Sequence, residues 1–403
     1  MTSISTSSNE VLPPPTERFT VLGWLRRNLF SNWWNALLTI ISALLIYYVL
    51  SGLLYWVFNT AQWEVVVVNL RLFMVGQYPN DQAWRVWLAI ELIVLLGGIS
   101  LSVWVKNISK WVGIALLVVP LLLAALDFSL RTRINLVAIP VVALLGYALG
   151  RWQPKRMQRV ARISWVFIFP LFILIIRGLL PEGTVFPVVR SNLWGGLLLT
   201  FLLTVVGIVF SFPLGVALAL GRRSELPVIR TICVVYIEFV RGVPLITILF
   251  MAQFMVPLFL PGGSTVDRVL RAMIGITLFS AAYLAENVRG GLQSIPNGQY
   301  EAAYALGLSG FQTMVRIILP QALRAVIPIL VGQFISLFKD TSLVAIVGLF
   351  DLLGIADAVL AQPRYIGRQA EVYLFISVIY FIFSYNMSYV SQRLEKSLGV
   401  GER

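Results

Sequence analysis

Long, almost uninterrupted apolar runs recur along this chain and limit what it can fold into. Apolar residues make up 59% of its 403 residues, whereas charged residues make up only 12%. Too few polar side chains remain to cover a water-soluble core of this size. A helix needs about 20 apolar residues to cross a bilayer, whereas a β-barrel needs short segments of alternating hydrophobicity. The sequence therefore predicts an all-α, polytopic membrane protein.

About ten segments reach the length that a membrane-spanning helix requires. The predicted spans lie at 35–58, 86–105, 111–130, 134–150, 163–180, 193–221, 231–259, 269–289, 323–348 and 371–391.

Composition and polar breaks divide the chain into three predicted regions. Residues 1–32, which include three consecutive prolines, are expected to be an N-terminal tail in the cytoplasm. Residues 33–185 are expected to form an additional transmembrane region with a periplasmic loop at 59–85, whose aromatic residues are expected to anchor it at the membrane surface. Residues 186–403 contain most of the polar breaks and are the predicted functional core.

The basic residues predict which face of the membrane each loop occupies. Lys and Arg number 31 against 18 Asp and Glu, a formal charge of +13, and they cluster in short loops such as 151–162. Such loops stay in the cytoplasm and meet anionic lipid, so we expect membrane lipid rather than nucleic acid as the partner of this charge. Alternation over ten spans places both termini in the cytoplasm. The same alternation places Arg131 and Arg133 on the periplasmic face, opposite the other basic clusters.

Few residues are available for metal or thiol chemistry. The chain has no histidine, and its one cysteine, Cys233, excludes an internal disulfide and a cysteine-based metal site. We therefore expect no metal site.

The longest structured interruption of the apolar pattern is EAAYALGLSGFQTMVRIILPQA, at 301–322. Its first part is helical and rich in small residues, and Gly307 permits a sharp turn. A second helical pattern follows, and Pro320 is expected to end it. The pattern predicts two short helices at an angle, suited to a groove on another protein. The alternative is an amphipathic connector that lies on the membrane surface.

The spacing of this segment resembles the loop that defines the permease subunits of ATP-binding-cassette (ABC) importers. The shared features are E-A-A, a glycine four positions after the second alanine, and I-x-L-P. About half of the chain, from 192 to 394, resembles the polar amino-acid permeases of this superfamily. The long N-terminal extension resembles the M-type subunit of general L-amino-acid permeases. One departure is Val243, where the family typically has threonine. The similar stretches are GLLLTFLLTVVGIVFSFPLGVALAL at 196–220, YIEFVRGVPLITILF at 236–250, AYLAENVRGGLQSIPNGQYEAAYALGLS at 282–309 and QFISLFKDTSLVAIVG at 333–348.

The resemblance implies a type I ABC importer permease core over 186–403, in a bacterial inner membrane. A coupling loop at 290–322 would dock on a cytoplasmic ATPase. Two ATPase subunits, a second and usually unlike permease subunit, and a periplasmic amino-acid-binding protein would complete the importer. The chain itself has no G-x-x-x-x-G-K-[ST] phosphate loop, so we expect it to bind no cofactor and its partners to use the ATP. The residues predicted to couple to the ATPase are Glu301, Ala302, Ala303, Gly307, Leu319 and Pro320.

Ionised side chains inside predicted spans are the second functional signal. Such groups cost several kcal/mol near the bilayer centre unless they are paired or face water. Glu238 or Asp340 could bind the ammonium group of an amino acid, and Arg241 or Lys339 its carboxylate. The alternative is two local ion pairs that fix helix packing. The resemblance implies that Glu238, Lys339 and Asp340 line the substrate site. The residues of the predicted substrate pathway are Glu238, Arg241, Lys339, Asp340, Thr341 and Ser342.

Two further interpretations concern these charges. Glu286 and Arg289 are expected at the end of a span, where they would brace the coupling loop rather than touch substrate. The competing function is an ion-coupled secondary transporter that works alone, with Glu238 or Asp340 carrying the proton. That mechanism is typical of chains with inverted repeats, and the sequence shows none.

Overall fold

The computed structural model describes residues 21–105, 110–126, 128–181, 183–259 and 266–398. The predicted tail therefore lies largely outside the described residues. Within those ranges β-structure is limited to two isolated bridges, which confirms the all-α class. The α-helices are α1 Val21–Asn28, α2 Trp33–Tyr55, α3 Glu64–Val75, α4 Trp84–Trp104, α5 Lys110–Ala124, α6 Leu130–Trp152, α7 Pro154–Arg177, α8 Gly196–Arg222, α9 Pro227–Gly242, α10 Leu245–Phe250, α11 Arg268–Gln293, α12 Asn297–Ala305, α13 Gly310–Thr313, α14 Leu319–Asp340, α15 Leu352–Leu360 and α16 Gln369–Leu398.

Eight helical segments of the described chain are long and apolar enough to cross a membrane, and one bent pair adds a ninth. The bent pair joins Pro227–Gly242 to Leu245–Phe259 at 107°. Its bend falls at Val243, which is extended as the residue before a proline prefers to be. The spans are Trp33–Thr60, Asn80–Trp104, Leu130–Trp152, Pro154–Arg177, Gly196–Arg222, Arg268–Gln293, Gly310–Val347 and Gln369–Arg393.

The predicted span at 111–130 differs from the structure in length. The helix there, α5, has only 15 residues and contains Pro120. Its neighbours α4 and α6 nevertheless run parallel, because Leu95 faces Gly146 and Ile99 faces Gly150. The chain between two parallel helices must return to the starting face, and α5 lies on that return path.

The chain divides into two compact units, one up to Trp63 and one from Glu64 onwards. In the first unit, α2 begins at Asn32, whose side chain accepts a hydrogen bond from the Asn35 N–H at 2.8 Å. None of the residues of α2 is buried. The second unit contains every other span and the hydrophobic core.

The predicted loop at 59–85 contains a helix, α3. At 12 residues, α3 is too short to cross a membrane. The helix nevertheless packs inward, and its Phe73 is fully buried. Tyr78, expected at the membrane surface, is also fully buried, and its hydroxyl donates to the Ile176 carbonyl at 2.7 Å. Burial raises the pKa of Tyr78 to about 12, so the phenol stays neutral.

Close backbone contact between α8 and α11 forms the centre of the second unit. A Cβ on Gly207 would lie 3.0 Å from Ile276, and one on Gly215 would lie 2.9 Å from the Ala281 carbonyl. Small residues at such positions allow two membrane helices to approach closely. Residue numbers rise together along the contact, so the helices are parallel and both end on the face from which α12 starts.

Candidate functional site

The segment 297–318, called the E-A-A segment below, consists of α12, a tight turn, α13 and a π-helical turn. Gly307 lies in the turn with a φ of 76°, and its N–H donates to the Tyr304 carbonyl at 2.9 Å. The next helix is capped reciprocally, since Ser309 and Gln312 each accept from the other's backbone N–H. The structure confirms the turn at Gly307 and the short helix before it, whereas the helix after the turn is continuous with the span that follows.

The prediction that Pro320 ends the second helix is wrong. The π-helical turn Met314–Ile318 leads directly into α14, and Pro320 stands in the first turn of that long helix. A proline is tolerated there because a first-turn N–H has no partner within its own helix. The π-helical turn before Pro320 keeps the backbone helical up to the start of α14.

The E-A-A segment presents an apolar surface at its tip. Leu306 is 82% exposed, Phe311 is 78% exposed and Tyr304 is 55% exposed. Glu301 and Ala302 are also exposed, whereas Ala303 is only 3% exposed and faces inward. Of the remaining predicted coupling residues, Gly307 and Pro320 are exposed and Leu319 is partly buried.

Polar and apolar contacts attach this segment to three spans. Arg223, just after α8, donates to the Tyr300 hydroxyl at 3.3 Å, and Gln321 of α14 donates to Gln299 at 3.1 Å. Ile318 is fully buried in a cluster that includes Leu292 of α11. A force on the E-A-A segment would therefore act on α8, α11 and α14 together.

Five charged side chains meet where α8, α9 and α11 approach one another; we call them the arginine–glutamate cluster. Glu286 accepts from Arg289 at 2.9 Å, and Arg222 lies 3.3 Å from the same carboxylate. Arg222 also lies 2.9 Å from Glu238, and Arg241 lies 3.8 Å from Glu286. Three arginines thus share two glutamates, a surplus of one positive charge.

The structure brings the predicted residues Glu238 and Arg241 into one cluster, but each pairs with a different helix. Their partners, Arg222 and Glu286, were not among the predicted pathway residues. Glu286 and Arg289 pair with each other near the end of α11, and their role in bracing the coupling loop stays a prediction. The Glu238 side chain is 53% exposed, against 22% for Glu286, so it is the member most open to a ligand.

The second predicted cluster lies at the end of α14. Lys339 is exposed, while Asp340 and Ser342 are partly buried. Thr341 is fully buried, and its hydroxyl donates to the Phe338 carbonyl at 2.7 Å. No ion pair in the described chain joins these residues to the arginine–glutamate cluster. The described ranges also contain no group of three or more ligating side chains that would hold a metal ion.

Asp351 is a buried carboxylate that the sequence analysis did not single out. It caps α15 by accepting the Gly354 N–H at 2.9 Å and the Leu353 N–H at 3.3 Å. The Tyr380 hydroxyl lies 3.4 Å away. The available signal was an aspartate directly before a short apolar helix, the usual mark of an N-cap. Burial raises the pKa of Asp351 from 3.8 to about 7.

Asp351 is expected to make the stability of the protein depend on pH. Since its pKa is higher in the folded state than in the unfolded chain, the folded state holds more protons between about pH 4 and pH 7. Stability therefore falls as pH rises through this range and levels off above it. Asp351→Asn keeps one oxygen as a cap and removes the titration. We expect the thermal midpoint of this variant to fall less between about pH 5 and pH 8 than that of the wild type.

Asp357→Asn is the matched control, since Asp357 lies in the same helix and is exposed. This variant should keep the fall in thermal midpoint with rising pH that the wild type shows, since Asp357 is only a minor cause of the raised pKa of Asp351. An unchanged profile in Asp351→Asn would contradict the assignment.

Known proteins resemble this chain along nearly its whole length. The family model described as the inner membrane component of binding-protein-dependent transport systems matches residues 211–397. The inner membrane amino-acid ABC transporter permease protein YhdY of Escherichia coli is 40% identical over 395 residues, covering 94% of this chain and 93% of that protein. The glutamate/glutamine/aspartate/asparagine transport system permease protein BztC of Rhodobacter capsulatus is 35% identical over 430 residues, covering 96% of this chain and 95% of that protein.

A shorter relative matches only half of this chain. The probable glutamine ABC transporter permease protein GlnP of Bacillus subtilis is 36% identical over 203 residues, covering 50% of this chain and 92% of its own length. Half of this chain therefore corresponds to a whole permease, as the resemblance of the C-terminal half implied. The described helices and these relatives together show a multi-pass inner-membrane protein, and the chain belongs to the family of amino-acid ABC transporter permeases.

Proposed function

We propose that this chain forms part of the translocation pathway of an ATP-driven amino-acid importer, and that its E-A-A segment receives the ATPase subunit. The observation that carries the proposal is the pairing of an exposed apolar tip with firm attachment to three spans. Large apolar side chains grouped on a surface are typical of protein–protein contacts. ATP is used by the partner subunits, and this chain is expected to bind no cofactor.

The contacts suggest how ATP use would move the membrane helices. Closure of two ATPase subunits would pull the E-A-A segments of two permease subunits together. The Arg223–Tyr300 and Gln299–Gln321 hydrogen bonds and the buried Ile318 would carry that displacement into α8, α11 and α14. Rigid rotation of such a helix group is a common form of switching between inward- and outward-facing states.

The basic end of α8 supports the proposed orientation. Arg223 contacts the E-A-A segment directly, so the arginines that follow α8 share its face. Basic loops stay in the cytoplasm, where the ATPase lies. We propose that both termini share this face, as ten crossings require.

For the substrate pathway we propose Glu238, Lys339 and Asp340 as the groups most able to meet an amino acid. Lys339 is exposed, and Glu238 is 53% exposed although it also lies 2.9 Å from Arg222, whereas the Arg241 side chain is only 32% exposed. Ser342, which is partly buried, would contribute the wall beside them, and the fully buried Thr341 would support that wall from within the fold. A second, unlike permease subunit and a periplasmic amino-acid-binding protein would complete the path.

Reconstitution with partners tests the function. The chain is co-expressed with its second permease subunit and ATPase, purified, and placed in liposomes with the binding protein. We expect uptake from a panel of labelled amino acids that depends on ATP. Uptake by the purified chain alone under a proton gradient would instead establish the ion-coupled alternative, which the ABC permease relatives do not support.

The apolar tip offers a sharper test of the docking surface. Leu306→Asp is expected to lower co-purification of the ATPase at least about tenfold, since burying an apolar side chain of this size contributes about 1.5–3 kcal/mol. Val185→Asp is the matched control, because both side chains are 82% exposed and Val185 lies outside the E-A-A segment. Equal ATPase recovery in the two variants would contradict the docking role.

A further inference from the structure

A large lateral cavity lies within the second unit, between the N-terminal spans and the permease core. Its volume is about 1680 Å³, and side chains from α3, α4, α6, α7, α8 and α16 line it. Small-molecule pockets usually measure about 300–1,000 Å³, so this cavity is larger than an amino acid needs. We call it the lateral cavity.

One end of the lateral cavity is polar. The parallel contact of α4 with α6 places their N-termini at the same end of the helix pair. The N-terminus of α8 lies at this end too, because a Cβ on Gly76, in the segment between α3 and α4, would be 2.4 Å from the Cα of Gly195. The polar lining residues come from this level: Arg71, Asn80, Ser129, Arg131, Thr132 and Asn135.

The charge at this end has one sign. Arg71 and Arg131 line the cavity, and none of its described lining residues is Asp or Glu. Arg71 also donates to the Tyr78 carbonyl, which fixes its position. An anionic group is the ligand that two arginines favour, and phosphate matches the planar guanidinium well.

The rest of the lateral cavity is apolar and elongated. Its lining residues on α8 run from Leu197 to Phe210, which corresponds to about 20 Å along a helix axis. Half of the hydrocarbon core of a bilayer is about 15 Å thick. Val166 and Phe210, which are 68% and 54% exposed, lie in the lining, so the cavity is accessible from its side. Its length suits the acyl chains of one leaflet.

We propose that the lateral cavity binds one anionic phospholipid, with its phosphate between Arg71 and Arg131 and its acyl chains along α8. The site also accounts for the position of Arg131, which falls on the face opposite the basic loops. The cavity's polar end is the N-terminal end of α8, whereas the E-A-A segment contacts its C-terminal end. With the orientation proposed above, the lipid belongs to the outer leaflet.

The lipid content of the purified importer tests the charge requirement. The intact complex is extracted in mild detergent from membranes that contain phosphatidylglycerol and phosphatidylethanolamine, washed, and analysed by native mass spectrometry. We expect about one phosphatidylglycerol per copy of this chain. Arg131→Gln should lower the retention of phosphatidylglycerol about fivefold, because one arginine near an anionic headgroup raises lipid affinity by about that factor. Arg151→Gln, at the opposite end of α6 and also exposed, should leave retention unchanged.

A second pair of variants tests the apolar part. Val166→Trp fills the lateral cavity and should lower phosphatidylglycerol retention, while Ile163→Trp, on the same helix but outside the lining, should not. Three results would overturn the proposal: no retained lipid in the wild type, equal retention in a variant and its control, or equal retention of the zwitterionic lipid. Crosslinking of a Val166→Cys variant to another helix of the importer would also overturn it.

Discussion

Replacing Gly307 by proline is expected to abolish ATP-driven amino-acid uptake while the protein still inserts in the membrane. The φ of Gly307 is 76°, whereas proline fixes φ near −65°. Proline would also remove the N–H that donates to the Tyr304 carbonyl at 2.9 Å. A Cβ at Gly307 would meet nothing within 4 Å, so the effect comes from the backbone angle and the lost hydrogen bond rather than from a steric clash. Misplacing α13 relative to α12 would disrupt the surface that we propose receives the ATPase.

Gly310→Pro is the matched control for this experiment. Gly310 is the first residue of α13, where proline is favoured, and Ser309 before it already has the extended ψ of 159° that a following proline prefers. This variant should keep ATPase binding and most of the uptake. Membrane level, ATPase co-purification and ATP-dependent uptake are measured for both. Wild-type docking and uptake in Gly307→Pro would contradict the coupling role of the turn.

Local chain chemistry made this turn predictable from the sequence. A glycine between two helical patterns has few alternatives to a turn, and the Val243–Pro244 step breaks its helix for a similarly local reason. Pro320 shows the limit of such reasoning. A proline usually ends the helix that precedes it. Pro320 instead lies in the first turn of α14, because the π-helical turn Met314–Ile318 leads the backbone into that helix. Only the path of the backbone distinguishes the two cases.

Contacts between helices far apart in the sequence could not be predicted from the sequence alone. Periodicity can relate Glu286 to Arg289, three positions away, but not to Arg222, 64 positions away. The pairing depends on the register between α8 and α11, which the glycines of α8 determine through close packing. Helix α3 was missed for a related reason, because its burial depends on neighbours rather than on its own length.

Glu286→Gln is expected to destabilise the importer more than any other single charge removal in the arginine–glutamate cluster. Glu286 is the common partner of Arg222, Arg241 and Arg289, and its side chain is only 22% exposed. Without it, three arginines would share Glu238 alone. Removing one partner of a buried ion pair costs about 3–5 kcal/mol, and the partial exposure of this cluster places the expected loss at or below about 3 kcal/mol. The thermal midpoint of the purified complex measures the effect.

Glu238→Gln separates the structural role of the cluster from a role in the substrate pathway. Glu238 is 53% exposed and pairs with Arg222, so its removal should lower the thermal midpoint much less than Glu286→Gln does. If Glu238 also meets the amino acid, its replacement should raise the KM for ATP-driven uptake while the complex stays intact. A large loss of stability with an unchanged KM would place Glu238 among the groups that hold the helices together. In that case, recognition of the substrate would fall to Lys339 and Asp340, at the end of α14.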